Sequence, residues 1–177
     1  MEASLPPPRG DERLRGFGRW GLRLFDASRV LALAGGAVFV LLVAMSVVSI
    51  VGRKLFSMPV PGDVEVLQMS AAFACACFFA YCHLGGGDVK VDFFTARLPG
   101  AAVHGLDAAG SFLYALVGAA LAWRTLAGEL AVRAAQETSV ILGWPVWIAQ
   151  ALMVPGFVLM TCAGLYMAWH HVRLAHQ

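Results

Sequence analysis

The sequence predicts an all-α integral membrane protein with four transmembrane helices and both termini on the cytoplasmic side. Hydrophobic residues make up 59% of the 177 positions and charged residues only 14%, whereas about a quarter of a typical soluble domain is charged. Four apolar runs each reach the roughly 20 residues that a helix needs to cross about 30 Å of hydrocarbon. The lysines and arginines between these runs are unevenly distributed, which predicts the orientation of the chain.

The four runs carry charged residues only near their ends. The first run has none, Glu65 stands at the start of the second, and Asp107 and Arg124 lie near the two ends of the third. A charge at the bilayer centre costs at least about 2.5 to 3.5 kcal/mol, so a charge there would indicate a transport or ligand site. The predicted spans, whose centres lack such a residue, are about 30–51, 64–84, 106–126 and 146–169.

Basic residues in short loops resist translocation and therefore mark the cytoplasmic side. Six arginines precede the first span, and Lys90, Arg97 and Arg173 belong to the same side of the membrane. The loops of the opposite side hold Arg53, Lys54 and Arg133. Both termini are therefore predicted to be cytoplasmic. The first apolar run, at about 22 residues, exceeds the 7 to 15 of a signal peptide, so we expect an uncleaved anchor.

The residues before the first span divide into two segments. Residues 1–12 are rich in proline and charge and are predicted to be disordered. In residues 13–29, arginines recur every four positions on one helical face, which predicts an amphipathic helix on the membrane surface; a basic flank to the first span is the alternative. The remaining chain is predicted to form a four-helix membrane domain at 30–173 and a tail at 174–177.

The sequence contains no recognisable catalytic constellation. It shows no phosphate-binding glycine loop, no metal-binding helix motif and no set of Ser, His and Asp in aqueous loops. The formal net charge of +2 provides no basic field for nucleic acid. We therefore expect neither an enzyme, nor a cofactor, nor a nucleic-acid partner.

Two histidines support one alternative function. His83 near the inner end of the second span and His104 before the third can lie at similar depth and ligate a haem between helices. The chain would then be a haem- or quinone-associated membrane anchor of a redox enzyme. The simpler interpretation, which we favour, is that these histidines supply ordinary polarity at the membrane interface.

Two further features predict contacts between helices. Glu65 lies opposite the end of the first span, so a pairing with Arg53 or Lys54 is its simplest structural use. Small residues recur every four positions in two spans, and small residues allow helices to approach closely. These residues are Ser111, Ala115 and Ala119 in the third span, and Ala32 and Gly36 in the first.

Several short motifs follow one another along the chain. They are RKLF at 53–56, PVPGDVE at 59–65, GDVKVD at 87–92 with LP at 98–99, and ETS at 137–139 with LGWPVW at 142–147. In this order they resemble the small membrane subunit of TRAP transporters, the DctQ type, and the resemblance covers about 53–173. One departure is Asp88, which stands where that family often has a histidine.

The resemblance implies a role in a tripartite uptake system of the bacterial inner membrane. In such a system a periplasmic binding protein captures an organic anion, and a large multi-span subunit carries it inward with sodium. The small subunit packs against the large carrier subunit as part of a fixed scaffold and contacts membrane lipid. The matching motifs contain these candidate structural or partner-contact residues: Arg53, Lys54, Pro61, Glu65, Asp92, Pro99, Glu137, Pro145 and Trp147. The substrate is not indicated.

Overall fold

The computed structural model describes residues 16–58, 60–87 and 100–175, and within them the chain forms four α-helices. The helices are α1 (Arg19–Phe56), α2 (Asp63–Gly85), α3 (Gly100–Ala134) and α4 (Val146–Ala175). Each is long and apolar enough to cross a membrane, which confirms the predicted all-α fold with four spanning helices. The predicted disordered segment 1–12, Asp92 and Pro99 lie outside the described residues.

The first helix is much longer than the predicted span. It has 38 residues and therefore a length of about 57 Å, against about 30 Å of hydrocarbon. Residues 19–29, predicted as part of a separate surface helix, continue directly into residues 30–56 without a break. The structure therefore provides no boundary at residue 30, and a surface position for this basic segment stays a prediction.

Residues with left-handed backbone conformation follow α1 and flank α2 at both of its ends. Ser57 follows α1 with φ of 52°, and the Met58 N–H reaches back to the Gly52 carbonyl at 3.2 Å. Gly62 precedes α2 with φ of 74°, and Gly86 follows it with φ of 68°. Left-handed backbone of this kind is accessible to glycine at little cost. The second helix therefore ends within the glycine run 85–87.

The helices pack in the order α1, α2, α4, α3. The main contacts join α1 to α2, α2 to α4, and α4 to α3. The start of α1 also reaches α4, where the Gly18 N–H donates to the Tyr166 hydroxyl at 3.2 Å and the Phe17 ring lies 5.4 Å from the Tyr166 ring. This order leaves α1 and α3 on the two flanks of the bundle.

The buried face of α1 is a seam of mostly small residues with a spacing of seven. Gly21, Ser28, Gly35, Leu42 and Ser49 are its buried members. A seven-residue spacing keeps one narrow stripe facing a neighbouring helix. Ala32 and Gly36 lie outside this seam, since a Cβ at Gly36 would meet nothing within 4 Å, and their four-residue repeat stays a candidate contact for a partner.

Small residues also define the contact between α3 and α4. Ser111 and Ala115 are buried, as predicted for the third span, but Ala119 is exposed and Gly118 takes its place in the contact. A Cβ added at Gly164 would lie 2.8 Å from the Ala115 nitrogen. Backbones this close leave no room for a larger side chain, as is common where membrane helices pack through small residues.

Candidate functional site

The seven candidate partner-contact residues that the structure describes gather at one end of the bundle, which we call the Glu65 end. Three segments meet there: the last two turns of α1, the first turn of α2, and the connection between α3 and α4 at residues 135–145. The opposite end, which we call the His104 end, contains the start of α3 and the end of α4. These two ends correspond to the predicted outer and inner sides of the membrane.

Glu65 holds the connection between α3 and α4. Its Oε1 atom accepts the Ile141 N–H at 2.9 Å, and its Oε2 atom accepts the Leu142 N–H at 3.2 Å. A carboxylate is a strong acceptor for backbone N–H groups, and both of its oxygens are used here. The predicted pairing of Glu65 with Arg53 or Lys54 is therefore wrong, because the carboxylate turns towards α4 and not towards α1.

The acidic partner of Arg53 is Asp63. The Arg53 Nη2 atom lies 3.3 Å from the Asp63 Oδ2 atom. The same Oδ2 atom accepts a short hydrogen bond from the Ser49 hydroxyl, while Oδ1 accepts the Val64 N–H at 2.8 Å. The Ser49 hydroxyl in turn accepts the Val60 N–H at 3.4 Å. Asp63 thus joins the end of α1, the turn and the start of α2.

The connection between α3 and α4 is ordered by its own hydrogen bonds. The Ser139 N–H donates to the Trp144 carbonyl at 2.8 Å, and the Gly143 N–H donates to the Ser139 carbonyl at 3.1 Å. The Val146 N–H donates to the Glu137 carbonyl at 3.2 Å. Gly143 has φ of 66°, which suits a residue without a Cβ. The result is a small hairpin-like loop whose tip is held by Glu65.

The tip of this loop presents apolar side chains to its surroundings. Val140 is 95% exposed, Ile141 62% and Trp144 58%. The backbone N–H of Ile141 is one of the two groups that Glu65 binds, so the carboxylate fixes the position of these side chains. An exposed apolar group on a fixed loop is typical of a surface that contacts lipid or another protein.

The other predicted residues have peripheral positions. Lys54 and Pro61 are exposed, as is the side chain of Glu137, which contributes backbone hydrogen bonds to the loop. Pro145 forms an isolated bridge with Thr138. The Trp147 ring lies under the Arg133 guanidinium, 5.0 Å from its carbon to the ring centroid.

Three residues important at the Glu65 end were not predicted as site residues: Ser49, Asp63 and Ser139. Ser49 and Ser139 are serines in apolar or loop segments, which carry no distinctive signal in a single sequence. Asp63 did carry a signal, since it follows Arg53 by ten residues across a turn rich in proline and glycine.

The His104 end does not bring the two proposed haem ligands together. His83 is buried, and its ring stacks on Tyr114 of α3 with centroids 4.2 Å apart. His104 precedes Tyr114 by ten residues on the same helix, which corresponds to about 15 Å along the axis. Axial haem ligands face each other across one iron. His83 and His104 are too far apart for that role.

Four helices, each long and apolar enough to cross a membrane, define a multi-pass membrane protein. The chain belongs to the DctQ family: the family model described as tripartite ATP-independent periplasmic transporters, DctQ component, matches residues 40–174. This family is a transporter component and not an enzyme family, and the match confirms the resemblance seen in the motifs. No curated protein and no solved structure shows a significant match to the chain.

Proposed function

We propose that this chain is the non-catalytic scaffold subunit of a tripartite secondary transporter that imports an organic anion with sodium. The large multi-span subunit would carry the substrate, and a periplasmic binding protein would deliver it. The complex would lie in the bacterial inner membrane, with both termini of this chain in the cytoplasm. Membership of the DctQ family supports the division of labour.

The observation that carries the proposal is the large apolar surface that the chain does not bury within itself. In the most apolar window of α1, only 11% of the residues are buried inside the chain. Exposed apolar residues follow the helix from Val30 to Val51. Either lipid or a large membrane partner can cover such a surface. The exposed faces of α1 and α3, the two outer helices of the bundle, are both available for contact with a partner.

The spans themselves are poorly equipped for ion-coupled transport. Secondary carriers bind substrate and coupling ions near the bilayer midplane with ionisable side chains or broken helices. In the four spans of this chain, charged residues lie towards the helix ends, and the acids at the start of α2 make structural hydrogen bonds. We therefore assign transport to the large partner subunit. This chain would enlarge the scaffold against which the transport domain of that subunit moves.

We further propose that the Glu65 end contacts the partner proteins. Arg53, Lys54 and Pro61 flank one side of it, and Glu137, Pro145 and Trp147 lie on or beside the loop. The exposed Val140 and Ile141 at the loop tip supply the apolar part of the contact surface. Contacts that combine an apolar centre with a polar rim are common between proteins. Asp92 and Pro99, which lie outside the described residues, are proposed as structural residues of the loop between α2 and α3.

The experiment is a purification of the tagged chain from its native membrane in mild detergent. Companion proteins would be identified by mass spectrometry, and the absorbance spectrum would be recorded. We expect a colourless complex with a large multi-span carrier. Sodium-driven uptake by liposomes that contain the carrier and the binding protein should then require this chain. A Soret band together with soluble redox subunits would overturn the proposal.

A further inference from the structure

A second cluster of polar side chains lies at the His104 end. His104 and Asp107 are three residues apart on α3 and therefore share one helix face, and His171 of α4 lies opposite. One ligand atom from each residue lies within 4.8 Å of the other two. The rings of His104 and His171 have centroids 6.1 Å apart and planes inclined by 27°. Three side chains from two helices thus converge.

The packing of α3 against α4 accounts for this convergence. The two helices approach closely at Ser111 and Gly164, since a Cβ at Gly164 would lie 2.9 Å from the Ser111 carbonyl oxygen. His104 precedes Ser111 by seven residues, and His171 follows Gly164 by seven. Seven residues are close to two helical turns. Because the helices run in opposite directions, the two histidines reach the same level on facing sides.

The Nδ1 atom of the half-buried His104 side chain is compatible with a ligand at this point. This atom is buried and has no hydrogen-bond partner within the part of the chain that the structure describes. A buried polar atom without a partner is costly. An ion bound directly at Nδ1 would remove that cost.

We propose that His104, Asp107 and His171 form a three-ligand site for a divalent transition metal, with Zn²⁺ as the ion that fits best. Two imidazoles and one carboxylate are a common donor set for such ions, and a water molecule can complete a tetrahedral zinc site. Zinc bonds of about 2.0 to 2.2 Å require donor atoms roughly 3.3 Å apart. Small rotations of the three side chains would bring the donors to that separation.

Other ions and groups fit this donor set less well. Na⁺ is a hard cation like Mg²⁺ and Ca²⁺, and such ions prefer oxygen ligands, whereas two of the three donors here are imidazole nitrogens. A haem between His104 and His171 would need a flat space around the iron. The Asp107 carboxylate lies within 4.8 Å of a nitrogen of each histidine, so it would compete with the macrocycle for space around the iron.

The site would tie the start of α3 to the end of α4. This pair packs closely at Gly164 and Gly118, and the metal would extend that contact by two further turns. Binding of an ion to the folded chain alone would also raise its thermal stability by mass action. The role is therefore a structural one, and it is independent of the transport activity proposed above.

His170 provides a matched control on the same helix. Its ring lies 5.6 Å from the Phe17 ring and 6.3 Å from the Tyr166 ring, so it packs against the start of α1 and does not belong to the three-residue group. Removal of this imidazole changes the histidine content of the chain by the same amount as removal of His104.

The test is the zinc content of the full chain, purified through a tag without histidines and measured by inductively coupled plasma mass spectrometry. We expect about one zinc ion per chain, and less than about a tenth of that in His104→Ala and Asp107→Asn. His170→Ala should keep the wild-type content. Asp107→Asn preserves the size of the side chain, so it reports on the site even if His104→Ala folds poorly.

A second readout is independent of purification history. After removal of metal with a chelator, Co²⁺ should give visible d–d absorption in the wild type and in His170→Ala, but not in Asp107→Asn. Added Zn²⁺ should raise the melting temperature of the wild type by about 3 °C or more. A wild-type chain without zinc that also fails to bind added Zn²⁺ or Co²⁺ would overturn the proposal, as would equal binding by Asp107→Asn.

Discussion

Glu65 accepts the backbone N–H of Ile141 at 2.9 Å, although the two residues are 76 positions apart. The bond links the first turn of α2 to the loop between α3 and α4. A carboxylate in the first turn of a helix is also favoured by the helix dipole. The Glu65 side chain therefore helps to fix the position of this loop relative to the start of α2.

Replacement of Glu65 by Gln should loosen the loop without changing the size of the side chain. One of the two acceptor oxygens becomes an NH₂ group, which cannot accept the N–H of Ile141 or Leu142. We expect faster hydrogen exchange in residues 139–143 and a lower yield of the complex with the large subunit. Glu65→Ala should lower complex yield or uptake further, because both acceptors are lost.

Glu137→Gln is the matched control for this prediction. It removes the same charge from the same end of the bundle, but the Glu137 side chain is exposed and its contribution to the loop is made by the backbone. Wild-type exchange rates and complex yield in Glu65→Gln would remove Glu65 from the residues that organise this surface.

Asp63 should matter more for stability than its ionic partner. The Arg53 side chain is 61% exposed, and exposed ion pairs contribute little. Asp63 also accepts hydrogen bonds from Ser49 and from the Val64 N–H. In thermal denaturation, Asp63→Ala should therefore lower the melting temperature more than Arg53→Ala, and the exposed Lys54→Ala should have the smallest effect. An Arg53→Ala effect as large as that of Asp63→Ala would contradict this order.

Two adjacent glycines in α1 provide a test of the helix seam. A Cβ at Gly35 would lie 2.7 Å from the Cys77 Cβ and 3.0 Å from the Ala74 carbonyl oxygen of α2, whereas a Cβ at Gly36 would meet nothing within 4 Å. Gly35→Ala should destabilise the chain by about 1 to 3 kcal/mol through overpacking. Gly36→Ala should be neutral or stabilising by up to about 1 kcal/mol.

The measurement is the melting temperature of both variants in the same detergent. Each kcal/mol corresponds to a shift of roughly 2 to 4 °C for a chain of this size. Equal shifts for Gly35→Ala and Gly36→Ala would show that α1 does not pack on α2 through this face.

The number and approximate position of the helices were predictable because membrane spans depend on length and composition. The spacing of small residues was less informative. In α1, the pair Ala32 and Gly36 fits a four-residue repeat, but the helix buries Gly35 instead. An Ala- and Gly-rich helix offers several such repeats, and the choice among them depends on the partner helix, which a single sequence does not reveal.

The residues of the Glu65 end were predicted better than their contacts. Glu65 and Arg53 both make specific contacts, but with other partners than expected. The side-chain direction on the first turn of α2 decides which acid faces α1, and it places Asp63 there. The hydrogen-bond donors to Glu65 are two backbone N–H groups. Every residue except proline has such a group, so the sequence does not indicate which ones will bind a carboxylate.

The orientation of the chain follows from its basic residues and can be tested with fusions. Both termini are predicted to be cytoplasmic, so a fluorescent protein fused after Gln177 should fold and fluoresce, whereas alkaline phosphatase at the same position should be inactive. Alkaline phosphatase inserted after Ser57, between α1 and α2, should be active. An active phosphatase fused after Gln177 would contradict the predicted orientation and would show that the Glu65 end faces the cytoplasm.

The apolar loop tip gives the most direct test of the proposed contact surface. Val140 is 95% exposed, so Val140→Lys should leave the melting temperature of the isolated chain unchanged. A charge placed in an apolar contact lacks a partner and opposes association, so the same substitution should lower the yield of the complex with the large subunit. Ala135→Lys, an exposed position at the start of the connection, is the control and should assemble normally. If Val140→Lys assembles as well as Ala135→Lys, the loop tip faces lipid or water in the complex, and the partner surface must be sought on the flanks of α1 or α3.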